Sequence, residues 1–290
     1  MSASRGILAI RAVPFEWGSR TYVMGIVNVT PDSFSGDGIL AGEADPVAVA
    51  VAQARAMVAD GADLLDVGGE STRPGHEPVD AGEELRRVVP VVAAIRAALP
   101  DAPVSIDTTK AEVAEAALEA GADLVNHVWG VAAEPDLLGL VAARGVPLVV
   151  MHNRAEPLYE RLVPEVVADL RAALERAERA GIPPERLIVD PGIGFGKTAA
   201  QNIELLRELA ALRVLGRPVL LGTSRKSTIG RVLDLPPDER IEGTVATTVL
   251  GIAAGADIVR VHDVRPNVRA ARMADAIVRG IDLPEPAAAR

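Results

Sequence analysis

The chain has 290 residues, 49% of them hydrophobic and 24% charged, with a formal net charge of −10 and no cysteine. That apolar content excludes a disordered chain, and the lack of Cys excludes disulfides, Cys-ligated zinc, iron–sulfur clusters and a thiol nucleophile. The negative charge argues against a nucleic-acid partner. No apolar run reaches the roughly 18 residues of a membrane span and no signal peptide is read, so the expectation is a cytoplasmic protein with no membrane partner.

Eight apolar runs follow one another along the chain: 22–29, 64–69, 104–107, 124–128, 147–151, 187–190, 219–222 and 258–262. Between them lie segments rich in helix formers. In 46–59, for instance, Val47, Val51, Ala54 and Val58 mark one helical face. A phrase recurs at the junctions: Gly61-Ala62-Asp63, Gly121-Ala122-Asp123 and Gly255-Ala256-Asp257 each end an Ala-rich segment and precede an apolar run. This reads as a helix closed by Gly and leading into a buried strand. Alternating βα units imply parallel strands with right-handed crossovers, and eight of them imply an α/β fold, a single (β/α)8 TIM barrel. An open doubly wound sheet is the structural rival; no GxGxxG follows the first run, which disfavours its dinucleotide-binding form. Residues 1–20 are expected to close the barrel bottom as a strand or hairpin. Residues 21–280 form the barrel, and 281–290 are a flexible tail.

In such barrels chemistry sits at the C-terminal ends of the strands. There the runs are followed by Asn28 to Ser35, Asp66 to Gly75, Asp107-Thr108-Thr109-Lys110, Asn126-His127, Met151-His152-Asn153-Arg154, Asp190 to Lys197, Thr223 to Ser227, and Arg260 to Asp263. Only three of the 30 basic residues are Lys (Lys110, Lys197, Lys226), and only four residues are His (His76, His127, His152, His262); all seven fall at or after strand ends. This clustering predicts one polar site at the barrel top. Arg73, Lys226, Arg260 and His262 supply donors or positive charge, and Asn28 a neutral oxygen. A helix opening near Ser227 would turn its amides toward an anion. These groups imply a phosphate-bearing substrate accompanied by Mg²⁺. Asp107, Asn126 and Asp190 line the centre and suit a flat heterocycle rich in N–H donors. Lys110 reads as structural or solvent-exposed, Asp66 as a buried tying acid, and His76 and His127 as exposed loop residues. A Walker-type reading of GIGFGKT fails because position 191 is Pro.

The segments MGIVNVTPDSFS (24–35), DVGGESTRPG (66–75), SIDTTK (105–110), DPGIGFGK (190–197), SRKS (224–227) and RVHDV (260–264), in this order, resemble the dihydropteroate synthase family over residues 21–270. The resemblance implies an enzyme that joins 4-aminobenzoate to a dihydropterin carried as its hydroxymethyl diphosphate. It implies a catalytic set of Asp107, Asp190, Lys226 and Arg260, and a pterin site of Asp107, Asn126, Met151, Asp190 and Lys226. It places the diphosphate on Asn28, Thr72, Arg73, Arg260, Val261 and His262. The aminobenzoate falls to Phe34, Thr72, Pro74, Phe195, Lys226 and Ser227, and Mg²⁺ to Asn28. This chain departs from the family pattern at His127, Trp129, Asn153 and Ser35-Gly36-Asp37-Gly38. A folate-dependent methyltransferase of similar barrel is the rival, disfavoured by STRPG and SRKS; a non-catalytic pterin-binding paralogue is another. The apolar last two helices are expected to allow a homodimer.

Overall fold

The computed structural model describes residues 6–30, 45–70 and 79–280. A short hairpin comes first, β1 (Ile7–Ile10) against antiparallel β2 (Val13–Glu16). The barrel strands follow: β3 (Tyr22–Asn28), β4 (Leu64–Gly68), β5 (Val104–Asp107), β6 (Leu124–His127), β7 (Leu148–Met151), β8 (Leu187–Asp190), β9 (Leu220–Leu221) and β10 (Ile258–Val261). They form one parallel sheet in the order β8-β7-β6-β5-β4-β3-β10-β9. A parallel bridge between Val189 and Val219 joins its two edges, which closes the barrel. The helices α1 (Pro46–Ala59), α2 (Ala81–Ala98), α3 (Ala111–Glu119), α4 (Pro135–Arg144), α5 (Leu162–Arg179) and α6 (Ala199–Arg207) each follow one strand; α7 (Ser227–Leu233) and α8 (Ile241–Ala254) share the β9 crossover, and α9 (Val264–Arg279) follows β10. No described helix is long and apolar enough to cross a membrane.

Alternation along each strand sorts side chains between two cores. Outward-facing Leu65, Val67, Val104, Ile106, Val125, Val150, Val189 and Val259 pack with helix residues such as Ala54, Val88 and Val141. Inward-facing Tyr22, Met24, Leu64, Leu124, Val149, Ile188, Leu220 and Ile258 form a separate inner cluster, completed by Leu8, Ile10, Phe15 and Trp17 of the hairpin region. The N-terminal hairpin therefore plugs the barrel floor. Phe15 and Tyr22 have ring centroids 4.5 Å apart, and the Tyr22 hydroxyl accepts from the Glu16 amide at 2.7 Å.

The recurring Gly-Ala-Asp phrase has a second role that the sequence did not disclose. Gly61, Gly121 and Gly255 take φ of +101°, +114° and +107°, a left-handed turn out of the helix. The Asp two residues on then reaches sideways to the neighbouring strand. Asp63 accepts from the Val23 amide at 2.8 Å, Asp123 from Val104 at 2.9 Å, and Asp257 from Val219 at 3.0 Å. Each also donates its own amide back to that residue's carbonyl. These carboxylates satisfy strand-leading N–H groups where the ladder begins. The runs 104–107 and 187–190 coincide with β5 and β8, and the other six exceed their strands by a residue or two, at Pro147 for a local reason, since it has no N–H for the ladder.

Phe15→Ala should leave a cavity under a fully covered ring and cost about 3–5 kcal/mol. The check is chemical unfolding followed by Trp17 fluorescence, with turnover in native conditions largely kept.

Candidate active site

Above the apolar floor the inward positions turn polar. The register sets Asp66 beside Ser105, Asp107 beside Asn126, and Met151 beside Asp190. Every one of these residues is buried. Arg260, two residues beyond inward Ile258 on β10, points into the same layer. Its Nε donates to Asp66 Oδ2 at 2.5 Å and its Nη2 to Asp107 Oδ2 at 2.7 Å. Asn126 Nδ2 donates to the same Asp66 oxygen at 3.0 Å. Asp66 is thus the tying acid that the sequence suggested, and its partners are both predicted substrate-binding residues. Asp107 Oδ1 has no hydrogen-bond partner among the described residues, leaving a buried acceptor for an incoming N–H donor.

Asp190 ends β8 and accepts from the Gly192 amide at 2.7 Å. Lys226 enters the same layer from the β9 side: Lys226 Nζ donates to the Ile193 carbonyl and lies 4.4 Å from the Phe195 ring centroid. A methyl group at Gly222 would fall 3.8 Å from Asp190 Oδ2, 3.8 Å from Lys226 Nζ and 3.9 Å from Arg260 Cβ. The three charged residues therefore converge on the bare backbone of Gly222, and a side chain there would occupy the space between them. Burial raises Asp190 and pushes Asp107 up to about 7, against the pull of Arg260. Burial lowers Lys226 to about 8, with Asp190 opposing. Burial also works against the Arg260 charge, but Asp66 and Asp107 outweigh it and hold that group above its usual range.

The turn after β9 is bolted to the end of β10. His262 Nδ1 lies 2.9 Å from Ser224 Oγ, and the Ser224 hydroxyl also accepts from the His262 amide at 3.1 Å. Arg225 has φ of 56°, costly for a residue with a side chain, and its guanidinium grips Asp263 through Nε at 2.9 Å and Nη2 at 2.7 Å. That pair holds the turn that presents Lys226. Ser227 opens α7 as read from the sequence, with an exposed side chain. Asn28 ends β3 and is half-buried.

Two residues sit differently from expectation. Val261 is buried in the outer core between barrel and helices, because Arg260 and His262 on either side of it point inward; its side chain does not face the mouth. His127 is buried rather than an exposed loop residue: it alternates with inward Asn126, and its Nδ1 accepts from the Trp129 amide at 3.0 Å. Burial lowers its pKa to about 4, so the ring is neutral. Lys110 is structural, with Nζ 2.5 Å from Glu70 and 2.6 Å from the fully buried Glu84. Phe34, Thr72, Arg73, Pro74 and His76 lie outside the described residues. Asp66, Ser224, Arg225 and Asp263 were not assigned to the site from sequence; all four lie within the quoted motifs, but nothing local in the sequence marks their partners.

With this geometry in place, comparison with known proteins is specific. The family model described as pterin binding enzyme matches residues 24–262. The dihydropteroate synthase of Clostridium beijerinckii is 52% identical over 94% of this chain and 100% of its own length. A crystal structure of Xanthomonas albilineans dihydropteroate synthase with 4-aminobenzoic acid is 43% identical, with a TM-score of 0.89 over 97% of this chain and 100% of that one. Another from that organism, in complex with 7,8-dihydropteroate, is 42% identical with a TM-score of 0.85 over 96% and 100%. The chain belongs to the pterin-binding enzyme family. Within it the chain falls among the dihydropteroate synthases, which are transferases.

Pterin affinity should follow the charge of this layer. Asp107, raised to about 7, is a carboxylate acceptor only above that pH, so affinity should fall as pH drops through it. Lys226, lowered to about 8, loses its proton above that pH, and affinity should fall again. Calorimetric titration of a pterin across this range checks both limbs; a flat profile would contradict the assignment of the ring to these two groups.

Proposed function

We propose that the chain joins 4-aminobenzoate to (7,8-dihydropterin-6-yl)methyl diphosphate, giving 7,8-dihydropteroate and diphosphate, by a substitution in which diphosphate departs first. The observation that carries this reading is the convergence of Asp190, Lys226 and Arg260 around Gly222, with Arg260 bonded on to Asp107. Unfilled acceptor capacity on Asp107, with Asp190 and Asn126, receives the N–H-rich pterin ring, with Met151 packing alongside. Arg260 Nη1 has no hydrogen-bond partner among the described residues, and with His262 it faces the diphosphate. Thr72 and Arg73 join them, and Val261 contributes through its backbone alone. Phe195, Lys226 and Ser227, with Phe34, Thr72 and Pro74, receive the aminobenzoate.

In the reacting step the bond between the CH₂ carbon and the diphosphate oxygen breaks, and the electron pair leaves with diphosphate. Positive charge at that carbon spreads over the conjugated ring nitrogens. The buried carboxylates of Asp107 and Asp190 favour that charge electrostatically. The aniline nitrogen, already neutral near pH 7, then forms the C–N bond and sheds its proton, so no strong general base is required. Mg²⁺ would be held by Asn28. One neutral oxygen fits an ion that keeps most of its shell as water and substrate phosphate oxygens. When bound, that ion supplies charge neutralisation to the leaving diphosphate.

The rival methyl transfer to a corrinoid partner is separated by product. Diphosphate release that requires both substrates, with dihydropteroate detected by mass spectrometry, supports the present reading. Methyl transfer without diphosphate release would replace it. Aminobenzoate should bind weakly to the free enzyme and well once diphosphate and a pterin analogue are present. Labelled aminobenzoate at equilibrium reads this, and equal affinity in both states would contradict an ordered site. Two copies of the chain are proposed to pair across α8 and α9, which expose Leu250 (69%), Met273 (63%) and Ile277 (70%). Ile277→Glu should then sediment as a monomer, and a wild-type monomer in the same experiment would refute the pairing.

A further inference from the structure

Lys197 is the one lysine without a role so far. It follows a turn built on Gly192, Gly194 and Gly196, all at positive φ. Its Nζ lies 2.9 Å from His152 Nδ1 and donates to the carbonyls of Gly192 at 3.0 Å and Phe195 at 2.9 Å. Burial lowers Lys197 to about 7, with Asp190 opposing; in its ammonium form it has three protons, and here it meets three acceptors. His152 Nε2 is 3.1 Å from Asp169 Oδ2, which places the ring proton on Nε2 and leaves Nδ1 free to accept. Asp169 is itself held by Arg154, through Nε at 3.0 Å and Nη2 at 2.8 Å. On the other side of the turn the Tyr159 hydroxyl donates to the Gly196 carbonyl at 2.8 Å. The 190–197 segment is thus held by residues that follow β7. Side chains at Gly192 or Gly196 would collide with the backbone of His152 and Arg154, so the two segments lie in direct contact.

The held turn bears directly on the site. Its first amide fixes Asp190, its Ile193 carbonyl accepts from Lys226, and its Phe195 ring lies against the same ammonium. We propose that Lys197 is a positioning residue: its ammonium staples the Gly192–Gly196 turn to His152, and thereby sets Phe195 and Lys226 where the aminobenzoate meets the pterin. The proposal rests on the functional reading above for the identity of that substrate. It differs from a purely stabilising role, which would lower the melting temperature and leave substrate recognition untouched.

The decisive variants are Lys197→Met, His152→Asn and His152→Leu. Lys197→Met keeps the length of the side chain and removes all three donated bonds. It should raise the KM for 4-aminobenzoate about ten- to a hundred-fold, the range expected for losing charge-assisted bonds, with a clearly smaller effect on kcat. It should also speed amide exchange in residues 192–196. His152→Asn puts an amide oxygen where Nδ1 accepts and should stay near wild type in both readouts, whereas His152→Leu should move both in the direction of Lys197→Met. Wild-type KM and wild-type exchange in Lys197→Met would overturn the proposal, as would equal impairment of the two His152 variants. If Lys197→Met does not fold, the His152 pair decides. If the wild-type chain releases no diphosphate, the functional reading fails, and amide exchange in the same variants still decides the staple.

Discussion

The Arg260 guanidinium, with its side chain 18% exposed, spans two buried carboxylates, Asp66 on one strand and Asp107 on the next. Each charge taken from water costs several kcal/mol unless it is paired, so none of the three groups is stable in this layer without the others. That mutual dependence fixes the inner surface of the barrel mouth. Asp66 uses one oxygen for both Arg260 and Asn126, which aligns a cation and an amide in one contact. Asp107 uses one oxygen for Arg260 and keeps the other unpaired. With Asp190 and Lys226 added, three carboxylates face two cations. The surplus is negative, which suits a ring that gains positive charge as its leaving group departs.

The barrel separates what holds it together from what it does. Its floor is apolar and sealed by Phe15, Trp17 and the hairpin, and its strand starts are tied laterally by Asp63, Asp123 and Asp257. Its rim carries the costly features: buried charges, an Arg at positive φ, and a glycine turn pressed against a neighbouring loop. A rigid floor lets the rim hold unpaired acceptors in place without collapsing onto them.

Much of this was legible in the sequence. All eight strands fall within the apolar runs, because a parallel strand covered on both faces reads as a continuous apolar stretch. Asp107, Asn126, Met151, Asp190 and Arg260 are brought to one layer because each is the last or near-last inward residue of its strand, and Lys226 joins them from the turn between β9 and α7. The misplacements of Val261 and His127 share one cause. A side-chain period of two turns the neighbour of an inward residue outward, and both residues adjoin inward ones. What stayed hidden was long-range pairing. Arg260 and Asp66 are 194 residues apart, and no local pattern announces that they meet. Lys197 was conspicuous only by rarity; its partner His152 lies 45 residues earlier, on a different loop.

The central claim is that a fixed Asp66–Arg260–Asp107 layer presents acceptors to a pterin. A crystal structure of the chain with its pterin diphosphate substrate tests it most directly. The account predicts ring N–H groups on Asp107 Oδ1 and on Asp190, diphosphate against Arg260 and His262, and an Arg260–Asp66 contact unchanged from the free protein. A ring seated away from Asp107 and Asp190, or an Arg260 that abandons Asp66 to reach the substrate, would contradict it.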